Sequence, residues 1–199
     1  MSPGATFERV YLALKEQLMS GRFEPGRRLE PAVLCDELNA SITPVRDALH
    51  RLVGERVVAA PRNDGFHTPL LTEASLRDLY RWSEDLLLLA LKRTSEGPSR
   101  TDALRSPDIA EDTAGLCGAI AAGSGSREQA AAMRSLNDRM HGIRRMESRV
   151  LPDARAELDL LWHAFLSGQR AELRHGLGGY HRRRIRAVAE IRTALGEGG

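Results

Sequence analysis

The chain has 199 residues, 42% of them hydrophobic and 28% charged, the usage of a globular protein rather than a disordered, fibrous or membrane-embedded one. Its 29 basic and 27 acidic side chains nearly cancel, which excludes a protein that coats polyanions by bulk charge and makes any nucleic-acid surface a local one. Cys35 and Cys117 show no Cys-x-x-Cys spacing, the opening MSPGATFERV lacks a secretory pattern, and the aliphatic run Leu86–Leu91 is too short for a bilayer; a cytoplasmic setting without a membrane partner is expected. Lys15 and Lys92 are the lysines against 27 arginines, the usage of a GC-rich genome.

Phe7, Val10, Tyr11, Leu14 and Leu18 share a helical face, and Gly21 and Pro25-Gly26 stop that helix. A short helix is predicted over Pro31–Leu38 with Val33, Leu34 and Leu38 inward, followed by a tight turn at Asn39-Ala40. A third helix starts at Ser41, whose hydroxyl is expected to cap the Thr43 amide, with Pro44 in its first turn and Val45, Ala48, Leu49 and Leu52 buried. Val57–Ala60 and Phe66–Thr68, bracketing Pro61–Gly65, read as a β-hairpin. Three helices and a hairpin in this order make a winged helix-turn-helix over residues 1–71.

From Thr72 the pattern is helical, so the fold class expected is mainly α: the winged head, then an all-helical bundle over 72–199. Thr72 caps a long helix reaching about Lys92, with Leu76, Leu79, Tyr80, Trp82, Leu86 and Leu87 apolar; Ser95–Pro107 is a loop. Further helices fall at roughly 108–122, 126–150, 153–167 and 169–196. Gly176, Gly178 and Gly179 mark a kink, a close approach or a break in the last one.

In a helix-turn-helix the second helix of the pair enters the major groove, which makes Ser41, Thr43, Arg46, Asp47 and His50 its outward candidates. Arg46 can bridge guanine O6 and N7 or grip phosphate, while Ser41 and Thr43 with the first-turn amides suit a phosphate oxygen. Arg62, Asn63, Gly65 and His67 of the hairpin are placed to approach the minor groove. Residues 1–71 carry nine basic and nine acidic side chains, so salt-sensitive binding must come from few contacts.

The string Gly21-x-x-x-Pro25-Gly26-x-x-Leu29, then Leu34-x-x-x-Leu38 and Ser41-x-Thr43-Pro44-Val45-Arg46-x-Ala48-Leu49, resembles the winged helix of GntR-type bacterial transcription regulators. The resemblance implies a homodimer whose two heads bind a palindromic operator in double-stranded DNA. Arg46 matches a recognition arginine and Gly65 the wing glycine, whereas Ile42 and Ala32 stand where the family carries DNA-contacting arginines.

The helical half resembles the effector-binding and dimerisation (FCD-like) domain of the FadR-like branch, which implies a small-molecule effector, a carboxylate among the options, and a divalent metal held by one Asp and three His. Asn137-x-x-Met140-His141 corresponds to that domain's D-x-x-F-H, with Asn in place of the ligand Asp; the middle His falls at Leu158 and the closing one at Tyr180, beside His181. A rearranged site from Asn137, His141, His163 and His181, with Tyr180 near it, is the metal and effector set this implies; a metal-free cavity is the other outcome. The run Arg182-Arg183-Arg184 reads as a solvated helix face. No catalytic motif anchors an enzyme reading. The function expected is a sequence-specific repressor modulated by an effector; the alternative is a degenerate winged helix with weak nonspecific DNA binding or a protein-interaction role.

Overall fold

The computed structural model describes residues 3–93 and 105–196, which divide into one unit of the residues up to Leu71 together with those from Leu195 on, and another over Thr72–Ala194. Most of the loop expected at Ser95–Pro107 lies outside the described residues.

In the first unit α1 (Pro3–Met19), α2 (Pro31–Leu38) and α3 (Ile42–Gly54) surround one apolar core. Val10, Tyr11 and Leu14 of α1 meet Val45, Ala48, Leu49 and Leu52 of α3, all of them buried. The i, i+3, i+4, i+7 spacing on α3 is what places those four on one face, and burying each Val or Leu stabilises by about 1.5–3 kcal/mol. Proline opens α2, and Asn39 closes it at φ 46°, ψ 59°, a left-handed position that Asn tolerates better than most residues. The Arg9 guanidinium donates to the carbonyls of Leu38 at 2.9 Å and Asn39 at 3.2 Å, which ties the turn between α2 and α3 to α1.

Three expectations differ here. Val33 is 54% exposed instead of inward, because an eight-residue helix can bury only the stripe of Leu34 and Leu38. Ser41 has the extended backbone of an N-cap, but its hydroxyl makes no capping bond. The hairpin shrinks to a single antiparallel bridge between Ala59 and His67; the two-stranded sheet instead pairs β1 (Arg28–Leu29) with β2 (Phe66–His67), Arg28 opposite His67 and Leu29 opposite Phe66. Thr68 fixes that pairing, since its hydroxyl accepts the Arg27 N–H at 2.9 Å and donates to the Glu24 carbonyl.

The second unit holds α4 (Glu73–Arg93), α5 (Ile109–Ala122), α6 (Arg127–Val150), α7 (Ala154–Leu166), α8 (Arg170–Arg186) and all but the last two residues of α9 (Val188–Gly196). Thr72 caps α4 by accepting the Ser75 N–H at 3.1 Å, Asp108 caps α5 and Ser126 caps α6. The predicted apolar stripe of α4 is buried apart from Trp82, which is 48% exposed. The expected last helix is two, broken at Ala187 and not at the glycines. Gly176 instead marks a close approach: a Cβ there would lie 2.7 Å from Leu161 Cδ2 of α7.

Candidate nucleic-acid interface

The helix-turn-helix leaves one side of α3 uncovered. Ser41, Ile42, Thr43, Arg46, Asp47 and His50 are all exposed, in the order in which a helix set into a groove by its N-terminal turns presents side chains. The absent Ser41 cap leaves the first-turn amides of α3 without a side-chain acceptor, the state in which a phosphate oxygen can take them.

The two arginines of α3 separate cleanly. Arg51, itself exposed, lies over the Tyr11 ring, its guanidinium 3.8 Å from the ring centroid, and pairs with Glu8 and Glu55. Arg46 has no ion-pair or hydrogen-bond partner among the described residues. A guanidinium held on a rigid helix with its whole donor fork unspent can bridge a guanine edge or clamp phosphate.

The wing is positioned from the same core. The His50 ring meets Phe66 edge-on, centroids 5.0 Å apart, which locks β2 against the outer turn of α3 and gives His50 a structural duty beside any DNA contact. Between Pro61 and Gly65 the chain reverses, with Asn63 at φ 63° and Gly65 at φ 77°, both in the left-handed region where a β-carbon is costly or, for Gly, absent. Arg62 and Asn63 stand exposed at this tip. His67 is less accessible, its ring half-buried with Nε2 3.8 Å from Asp64 Oδ2.

Sequence reasoning missed Arg28. It lies on β1 beside the wing, its Nη2 3.8 Å from where a Cβ on Gly65 would be, and it pairs with Glu30 at 2.7 Å. The signal was Arg27-Arg28 after Pro25-Gly26, but a two-residue strand has no periodicity to reveal its pairing.

In the helical unit the expected metal set is not brought together. The Asn137 amide donates to the Ala114 carbonyl at 3.0 Å, and its Oδ1 accepts from Arg144 at 2.9 Å. His163 is exposed on α7, and His141 is half-buried on α6, where burial lowers its pKa. His181 is fully buried; Nδ1–H donates to the Leu177 carbonyl at 2.7 Å and Nε2 accepts from the Ser83 hydroxyl at 3.1 Å. With both ring nitrogens taken, His181 cannot turn a lone pair to a cation without giving one up. Tyr180 is buried and donates to Glu147 Oε2 at 3.4 Å. No group of three or more His, Cys, Asp or Glu among the described residues gathers as a metal ion requires, so these residues do not fit the expected metal.

A charged network fills this interior instead. Arg184, read from sequence as solvated, is buried over the Tyr180 ring and bridges Glu147 and Glu157, each at 2.6 Å. Tyr80 donates to the other Glu147 oxygen at 2.8 Å. Burial, then Glu147, raises the Tyr80 pKa, which keeps the phenol a donor. Asp112, fully buried, accepts from Arg105 at 2.8 Å and Arg155 at 2.7 Å.

A three-helix core, a two-stranded sheet that carries a wing turn, and an uncovered face on α3 define a winged helix-turn-helix domain. Residues 6–67 match the family model of bacterial regulatory proteins, gntR family, and this segment is a GntR-family helix-turn-helix domain. The chain is similar to the HTH-type transcriptional regulator McbR of Escherichia coli K12, 33% identical over 98 residues covering 49% of this chain and 44% of that protein. It is also similar to the Nta operon transcriptional regulator of Aminobacter aminovorans, 39% identical over 62 residues covering 31% and 30%. The matched stretch therefore spans less than half the length of these curated relatives. Among solved structures, Escherichia coli McbR/YncC superposes with a TM-score of 0.69 at 23% identity over 93% of this chain and 97% of that one. A candidate GntR transcriptional regulator from Rhodococcus sp. RHA1 gives 0.77 at 20% identity over 94% and 98%. At these identities the likeness extends the shared fold, the helical second unit included, to nearly the whole chain. Among the described residues no helix is long and apolar enough to cross a membrane.

Proposed function

We propose that this chain is a sequence-specific, DNA-binding transcription regulator that acts as a homodimer and whose helical unit responds to a small organic acid. The observation that carries the reading is Arg46, exposed and unpartnered among the described residues on α3, while Arg51 of the same helix is engaged by the Tyr11 ring and by Glu8 and Glu55. The α3 N-terminus enters the major groove of each half-site, Ser41 and Thr43 hold phosphate, and Arg62 and Asn63 at the wing tip follow the neighbouring minor groove.

Ile42 bears on which sequence is read. At 47% exposure it offers an apolar surface where a charged reader is expected, and an aliphatic group in the major groove suits a thymine methyl. The same feature favours the second reading, a winged helix with weak nonspecific binding, because a purely electrostatic grip loses two arginines at Ile42 and Ala32.

Fluorescence anisotropy on a duplex selected from random sequence separates the two. Arg46→Ala should raise Kd on that duplex by about 10–100-fold, the worth of one bidentate base contact, with little change on random DNA. An unchanged Kd would reject Arg46 as a reader, and failure of the wild type to enrich any duplex would leave the nonspecific module standing. Release of the operator by an organic acid, measured in the same assay, tests the effector role and the direction of regulation.

A further inference from the structure

Among the described residues, the charges buried deepest in the helical unit are paired with one exception. Arg184 has Glu147 and Glu157, and Asp112 has Arg105 and Arg155. Arg144, at 1% exposure, has no carboxylate within ion-pair distance among the described residues. Nη1 is spent on the neutral Asn137 amide at 2.9 Å, Nη2 faces the Cys117 and Met140 sulfurs at 3.9 and 4.0 Å, and Nε is buried with no partner among the described residues. Sulfur is a weak acceptor, and although Glu147 acts on Arg144 through space, a buried guanidinium with no carboxylate in direct contact is costly for a fold to hold. Burial pushes the Cys117 thiol up, so the nearest sulfur stays neutral near pH 7.

The geometry of the deficit is specific. Nε and Nη2 form the edge of a guanidinium whose two N–H bonds run parallel, the edge that accepts both oxygens of a carboxylate at once. That edge lacks oxygen acceptors, while the opposite corner is pinned by Asn137. We propose that the Nε–Nη2 edge of Arg144 binds the carboxylate of a small organic monoacid inside the helical unit. One negative charge balances one guanidinium, and the Met140 and Cys117 side chains beside it suit a short apolar tail rather than a second charge. This rests on the effector reading above and supplies the ligand class and the residue for it.

The test uses the full chain, with sodium butyrate as probe, butyramide as its neutral counterpart and sodium sulfate as a non-carboxylate anion, at matched ionic strength. Butyrate should bind once per chain by calorimetry and raise Tm by about 3 °C near saturation, with butyramide inert and sulfate markedly weaker. Arg144→Met should abolish the response while unfolding no lower than the wild type, since it removes a buried charge that has no direct ion pair among the described residues. Should that variant fold poorly, Cys117→Asp places an internal carboxylate near Nη2; it should raise the ligand-free Tm and block butyrate. An undiminished butyrate response in either variant, equal responses to acid and amide or to acid and sulfate, or no response of the wild type overturns the inference. Butyrate bound at Arg144 without effect on operator affinity would uphold this site and sink the effector role. An acid that releases DNA from Arg144→Met would do the reverse.

Discussion

Arg46 and Arg51 sit five positions apart on α3, about 140° around the helix axis, and that rotation decides their fates. One looks out from the domain; the other lies over Tyr11 beside Glu55. Arg51→Ala should therefore cost stability, through lost packing and two ion pairs, and weaken specific and random DNA alike only by unfolding the head, whereas Arg46→Ala leaves the urea midpoint in place. Comparing both variants in urea and in anisotropy checks the split. His181 makes a different prediction. Burial holds its pKa at about 3, whereas in the unfolded chain it takes a proton near 6.5. Below pH 6.5 the unfolded state therefore binds more protons, so this group subtracts stability as the pH falls from about 6.5 toward 3, at up to about 1.4 kcal/mol per pH unit, and contributes nothing above that window. Urea midpoints measured between pH 7.5 and 5 should fall more steeply for the wild type than for His181→Gln.

At the scale of elements, the local signals that chemistry makes sharp were legible. Proline at the start of α2, the left-handed Asn39 and the Thr72 cap placed helix ends to within a residue or so. The wing was not, because β2 takes its partner from β1, far away in the chain, and two-residue strands show no alternation. The glycines of α8 were ambiguous for a related reason: Gly tells where a side chain is absent but not what comes close. The structure divides them. Gly176→Ala drives a methyl into the buried Leu161 side chain and should destabilise by about 1–3 kcal/mol. A β-carbon on Gly179 would meet nothing within 4 Å beyond its own helix backbone, so Gly179→Ala should stabilise by about 1 kcal/mol through helix propensity alone. Opposite shifts in Tm for substitutions three residues apart would check the packing of α8 on α7.

At the scale of the whole molecule, the proposed homodimer needs a face to pair through. Trp82 and Leu89, 48% and 43% exposed, lie two turns apart on one face of α4 with the exposed Asp85 between them, two apolar anchors that a second copy would cover. Trp82→Glu should convert a dimer to a monomer in light scattering and lower operator affinity, since two linked heads bind a two-fold site far better than one. The candidate DNA face could be read from sequence because its residues are polar in a setting where exposure is normal. The interior of the helical unit could not. Arg144, Glu147 and Arg184 are ionisable side chains buried in a core, and composition or periodicity assigns such residues to water.

Arg184 has one more consequence, for how freely this chain can drift. Its flat cation lies on the Tyr180 ring and reaches two carboxylates in different directions, a task for which an ammonium is a poor stand-in because it offers neither plane nor fork. At this position geometry, and not base composition, calls for arginine. A descendant in an AT-rich genome should exchange its surface arginines for lysine while retaining this codon.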